Sequence, residues 1–151
     1  MKLLKALEEA GYLTPTNVQV LAHYAQKWGV TSYEALLQTH VMAEHSVADA
    51  IAEVFKLDRL YSFDATDVEL DALSLLAYVD AQEHQCFVPN RDEDGTLQAC
   101  ILNPLDERVM AFLNRSLQRY RLVILDKRLM ARSIEEAYPL ELQIPTVLGL
   151  S

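Results

Sequence analysis

The chain has 151 residues, 51% of them hydrophobic, and a formal net charge of −9. That length and composition suit one ordinary domain or two very small ones around a real core, and they exclude disorder over most of the chain. The charge disfavours nucleic-acid binding by the surface as a whole, and no apolar run approaches the roughly 18 residues that a membrane span needs.

The charge is spread unevenly. Residues 1–60 carry 5 basic and 7 acidic groups, residues 61–104 carry 1 and 9, and residues 105–151 carry 7 and 6. A local basic patch is therefore confined to the last third. The chain opens Met1-Lys2 with no secretory apolar region, and Cys86 and Cys100 match neither a zinc spacing nor a CxxC pair. These features predict a soluble, cytoplasmic protein with reduced thiols and no direct membrane insertion.

Residues 2–10 have apolar groups at helical spacing, and Gly11 suits the stop. Thr14 reads as an N-cap with Pro15 at the first helical position, and Val18, Leu21, Ala22 and Ala25 form the apolar face of a second helix ending near Trp28-Gly29. A third helix begins at Thr31 or Ser32, with Tyr33, Leu36 and Leu37 inward. A fourth covers 44–55 through Val47, Ile51, Val54 and Phe55. The second pair repeats the first. Ala6-Leu7-Glu8-Glu9-Ala10-Gly11-Tyr12-Leu13 aligns with Ala35-Leu36-Leu37-Gln38-Thr39-His40-Val41-Met42 at an offset of 29 residues, and Val18 then falls on Val47, Ala22 on Ile51 and Ala25 on Val54. A duplicated helix pair predicts a small stacked bundle.

Residues 57–68 read as a connection with one edge strand. Asp67 is expected to cap a helix over 69–76, and another helix is expected over 78–84. The period then changes to two. Gln85–Pro89 and Thr96–Leu102 flank Asn90-Arg91-Asp92-Glu93-Asp94-Gly95, which predicts a β-hairpin whose first strand is weakened at Pro89. Asn103 as cap and Pro104 at the first position predict a helix to about Leu117. Arg121–Leu125 reads as a buried strand, and 127–137 as a last helix ended by Tyr138-Pro139. The fold class is α+β: about four short helices in a repeat over 1–56, then a small α/β sandwich with a hairpin and a further strand over 57–140. Residues 141–151 are expected to be a linker or tail.

Candidate chemistry is sparse. The four glycines, Gly11, Gly29, Gly95 and Gly149, are isolated, so neither a P-loop nor a dinucleotide fingerprint can be written. His40 and His45 are five apart, where a helical metal pair needs three or four. Asp92-Glu93-Asp94 lacks the alternation and distal Glu of a calcium loop and suits a solvated hairpin tip. The serines sit in no nucleophile-elbow context. Neither a catalytic set nor a metal or cofactor site is expected. The remaining candidate is the basic set Arg115, Arg119, Arg121, Lys127, Arg128 and Arg132, in which 115/119 and 128/132 share helical faces, as a docking patch for a partner.

Several short motifs occur in a telling order: His84-Gln85-Cys86-Phe87-Val88-Pro89, Asp94-Gly95-Thr96-Leu97, Asn103-Pro104-Leu105-Asp106, Arg121-Leu122-Val123 and Ile134-Glu135-Glu136-Ala137-Tyr138. With the repeat ahead of them, they make residues 2–138 resemble the N-terminal domain of type II secretion and type IV pilus assembly ATPases. The resemblance implies a non-catalytic adaptor that docks such an ATPase on the cytoplasmic region of an inner-membrane component, with any motor beyond Ser151 or on another polypeptide. One branch of that family binds cyclic-di-GMP through copies that open Arg-Leu-Gly and place a Gly nine residues after the Arg. Here the first copy reads Lys2-Leu3-Leu4 and keeps Gly11, while the second reads Thr31-Ser32-Tyr33 and has His40. Lys2 and Gly11 are the ligand residues under that alternative. The loss of both arginines argues against cyclic-di-GMP, because neither Lys nor Thr replaces a guanidinium that stacks and pairs with phosphate.

Overall fold

The computed structural model of the chain describes residues 1–144. It is an α+β fold that divides into two compact units, Met1–Arg59 and the remainder from Leu60.

The first unit contains α1 (Lys2–Glu9), α2 (Pro15–Trp28), α3 (Ser32–Thr39) and α4 (Glu44–Val54), and closes with a two-residue strand, β1 (Asp58–Arg59). The start of α2 is a full capping box. The Thr14 hydroxyl accepts from the Asn17 amide at 3.0 Å, and the Asn17 side chain accepts from the Thr14 amide at 3.0 Å. Two amides that would otherwise lack intrahelical partners are satisfied reciprocally. Thr31 caps α3 through the Glu34 amide at 3.1 Å. The 29-residue offset holds in the core: Leu4 and Tyr33, Leu7 and Leu36, Val18 and Val47, and Leu21 and Ala50 are all buried. A short helix cannot hold itself together in water, so these paired apolar positions keep the four helices folded.

The second unit contains a 3-10 turn (Ala65–Asp67), α5 (Leu70–Leu73), α6 (Tyr78–His84), β2 (Phe87–Arg91), β3 (Leu97–Ile101), α7 (Glu107–Ser116), β4 (Tyr120–Ile124), α8 (Lys127–Ala137) and α9 (Leu140–Gln143). Its strands lie in the order β2-β3-β4. β2 and β3 form an antiparallel hairpin, whereas β3 and β4 run parallel, from Leu97↔Tyr120 to Ile101↔Ile124. Ala99, Cys100 and Ile101 are buried in succession, so this central strand is covered on both faces. Phe87, Leu113, Ile124, Leu125 and Met130 complete the core around it.

Three local expectations are corrected. Asp67 does not cap a helix over 69–76. It ends the 3-10 turn, which Asp64 caps through the Thr66 amide, and α5 is a single turn without a side-chain cap. Asn103 does not start α7. Its side chain accepts from the Leu105 amide in a local turn, and the cap is Asp106, which takes the amides of Arg108 and Val109 at 3.1 and 3.2 Å. Both errors have one cause: Asp and Asn stabilise turns as readily as helix starts. Nor does Pro89 end its strand. The register shifts between Phe87 and Asn90, the strand continues to Arg91, and the Pro89 carbonyl accepts from the Glu69 amide at 2.8 Å. A bulge tolerates the missing N–H. Of the expected tail, Leu140–Gln143 forms one helical turn, and 145–151 lie outside the described residues.

Replacing Thr14 with Ala is expected to remove the cap and lower stability by about 1 kcal/mol. Urea denaturation of the two proteins measures this, and an unchanged midpoint would contradict the role given to the cap.

Candidate functional site

In the first unit, the opening positions of the two repeat copies meet. The Met1 ammonium donates to the Ser32 hydroxyl at 3.0 Å, and Lys2 is exposed beside it on the first turn of α1. At the far ends of α1 and α3, Gly11 has φ +89° and His40 has φ +57°. Both positions, 29 apart, take the left-handed conformation that glycine adopts freely and His adopts at a cost. The structure therefore has the same backbone turn in both copies, although the second has His40 where the first has Gly11. Nothing lies within 4 Å of a Cβ built on Gly11, so the backbone angle there, not lack of room, favours glycine.

The same unit presents a feature that sequence reading passed over. Val20, Tyr24 and Trp28 are spaced i, i+4, i+8 along α2, and Val20 and Trp28 are 52% and 61% exposed. The Tyr24 hydroxyl donates to Gln38 on α3 at 2.9 Å, its ring lies 6.2 Å from that of Trp28, and the Lys27 ammonium stands 5.5 Å over the indole. In sequence, Trp28 reads only as the end of a helix. The available signal was the second stripe of α2, which runs beside the buried Val18–Leu21 face.

The basic set falls into groups. Arg115 ends α7, where a cation suits the negative end of the helix, and its guanidinium stands 5.9 Å over the Phe112 ring. Arg119 and Arg121 flank the entrance of β4 and meet the hairpin tip. Arg119 Nη2 lies 2.6 Å from Asp94 Oδ2, while Arg121 donates Nε to Asp92 Oδ2 at 2.8 Å and Nη2 to Oδ1 at 3.2 Å. Lys127 and Arg128 are exposed on the first turn of α8, beyond the exit of β4, and the five strand residues between put the groups roughly 15 Å apart. Arg132, further along α8, lies 3.9 Å from Glu136. Thus Arg119 and Arg121 are brought together, but chiefly to neutralise carboxylates of their own chain.

Those pairs set the charge state of the tip. The Arg121 guanidinium first, then the Gln98 amide, hold the Asp92 carboxyl below the usual carboxylate range. The Thr96 amide first, with Arg119 contributing, does the same for Asp94. Gly95, at φ +90°, supplies the turn. The thiols differ. Burial above all pushes Cys86 up to about 12, and burial also pushes Cys100 up, so both are neutral and poor nucleophiles at physiological pH. Among the described residues, no group of three His, Cys, Asp or Glu could hold a metal ion, and no helix is long and apolar enough to cross a membrane.

Solved structures similar to this chain include MshE, in a structure with c-di-GMP, and the N-terminal domain of XpsE. The MshE match has a TM-score of 0.72 at 21% identity and covers 91% of this chain and 99% of that one. Two crystal forms of the XpsE domain give TM-scores of 0.65 and 0.59 at 20% and 19% identity, each covering 91% of this chain and 94% or 95% of the other. The chain has the fold of the XpsE N-terminal domain. No protein-family model and no curated protein matches its sequence.

The lowered value of Asp92 has a defined consequence. A carboxyl depressed in the folded state adds stability that is present above its unfolded value of about 3.9 and lost as pH falls through the lower folded value. Arg121→Gln is therefore expected to be less stable than the parent at neutral pH, with the gap closing below about pH 3.9. Urea midpoints across that range test this, and a gap independent of pH would refute it.

Proposed function

We propose that this chain is a non-catalytic docking domain of a secretion- or pilus-type ATPase system that binds the cytoplasmic region of an inner-membrane component. The observation that carries the reading is the fold, which matches an N-terminal domain across 91% of the chain, together with the motif order that makes the sequence resemble the same class. Exposed Trp28 and Val20 support it, because aromatic side chains on a helix face are favoured anchors at protein interfaces. Of the basic set, Lys127 and Arg128 are exposed on the first turn of α8, where an acidic partner could reach them. Arg115, Arg119, Arg121 and Arg132 stand as rim contacts in the same proposal.

A second reading is a cyclic-di-GMP sensor. Two observations favour it: MshE shares this fold in a structure with c-di-GMP, and the two copies of the repeat keep their backbone and bring their opening residues together. Lys2 and Gly11 would be its contacts in the first copy. Against it stand Lys2 and Thr31 where an arginine would pair with phosphate.

Calorimetry separates the two. Docking predicts saturable binding to the purified cytoplasmic region of the inner-membrane secretion component, weakened roughly tenfold by Trp28→Ala, with no heat from cyclic-di-GMP. Saturable cyclic-di-GMP binding that Lys2→Ala abolishes would instead establish the sensor.

A further inference from the structure

The second unit carries an apolar cleft lined by none of the residues assigned to the repeat site or the basic set. A cavity of about 280 Å³ opens beside α6 and α9, lined in part by Leu76, Tyr78, Tyr138, Glu141, Leu142 and Ile144. Tyr138 forms part of its wall. Its hydroxyl donates to the Leu76 carbonyl at 2.7 Å, and its ring meets that of Tyr78 edge-on at 5.4 Å. The phenol is thus satisfied inside the protein, leaving ring surface rather than a polar atom for an occupant.

The surroundings are more apolar than a solvated surface needs to be. Within the lining, Leu142 and Ile144 are 40% and 62% exposed, and Leu75, Val79 and Leu140, each next in sequence to a lining residue, are exposed as well. Clustered exposure of this kind marks interaction surfaces, whereas single exposed leucines do not. Three carboxylates belong to the cleft or interact with residues of its wall. Glu141 is in the lining, Glu135 accepts from the Tyr78 hydroxyl and from Gln82 at 2.9 Å, and the charge of Asp80 reaches Tyr138. Among the described residues, no Lys or Arg forms an ion pair with these three carboxylates. The only basic residue in 61–104 is Arg91, and it pairs with Glu69 at 2.8 Å.

We propose that this cleft docks a basic amphipathic segment of a partner protein. Apolar side chains of the segment enter against Leu76, Leu142 and Ile144, and its Lys or Arg side chains meet Asp80, Glu135 and Glu141. An acidic segment would be repelled by the same rim, and a wholly apolar one would leave the carboxylates without partners. The proposal goes beyond docking through the helical repeat and holds whether or not that docking occurs.

The test uses fluorescence anisotropy with a short helical peptide of leucine and lysine. One control peptide has Glu for each Lys, and another has Ser for each Leu. Only the leucine–lysine peptide is expected to bind saturably. The double variant Leu142→Ser/Ile144→Ser is expected to weaken it roughly tenfold or more, and Glu141→Lys severalfold, with Trp28→Ser leaving it unchanged. Amide chemical shifts of the unaltered protein are expected to move along α6 and α9. Equal binding of the Ser-for-Leu peptide would reduce the effect to bulk attraction by a chain of charge −9 and overturn the proposal. So would full affinity in the double variant or shifts confined to other elements. Sedimentation that shows self-association lost in the double variant would assign the cleft to a second copy instead.

Discussion

The parallel pairing of β3 with β4 is the constraint on which the second unit depends. Two parallel neighbours cannot be joined by a tight turn, so the chain must return along the sheet, and α7 is that return. Its register, beginning at Leu97↔Tyr120, also places the entrance of β4 beside the tip of the β2–β3 hairpin. Arg119 and Arg121 meet Asp94 and Asp92 for that reason, although 25 and 29 residues separate the two pairs in sequence. Crossover helix and ion pairs are thus consequences of one ladder.

Most of the fold was legible because its signals are local. The Thr14-Pro15 start, the i, i+3, i+4 apolar faces and the alternation around Asp94-Gly95 each act within a few residues, and the four helices of the repeat and the hairpin form from them. The misplacements at Asp67 and Asn103 fall where one residue type serves two local structures, and the choice between them depends on packing with distant residues. The bulge at Pro89 is of the same kind, since its carbonyl is satisfied by Glu69, twenty residues earlier.

Less of the site was legible. Helical spacing places Arg128 and Arg132 on one face of α8, but α7 ends at Ser116, so Arg119 does not share the helical face expected with Arg115, and spacing could not show that Asp92 and Asp94 would neutralise two of the six cations. Nor could it place Leu76, Tyr138, Leu142 and Ile144 around one cleft, because an exposed leucine and a buried one look alike in sequence. What a sequence conveys about a surface is its composition, whereas its geometry arises only when distant elements pack.

The left-handed backbone at Gly11 and His40 has a wider consequence. A His at such a position costs no more than a few kcal/mol, which the apolar pairs of the repeat can absorb. The shape of each repeat copy is therefore insured by its core, independently of the residues that its surface turns present. Such a scaffold is free to acquire, lose or exchange ligand-contacting side chains one copy at a time, while both halves go on folding in the same way.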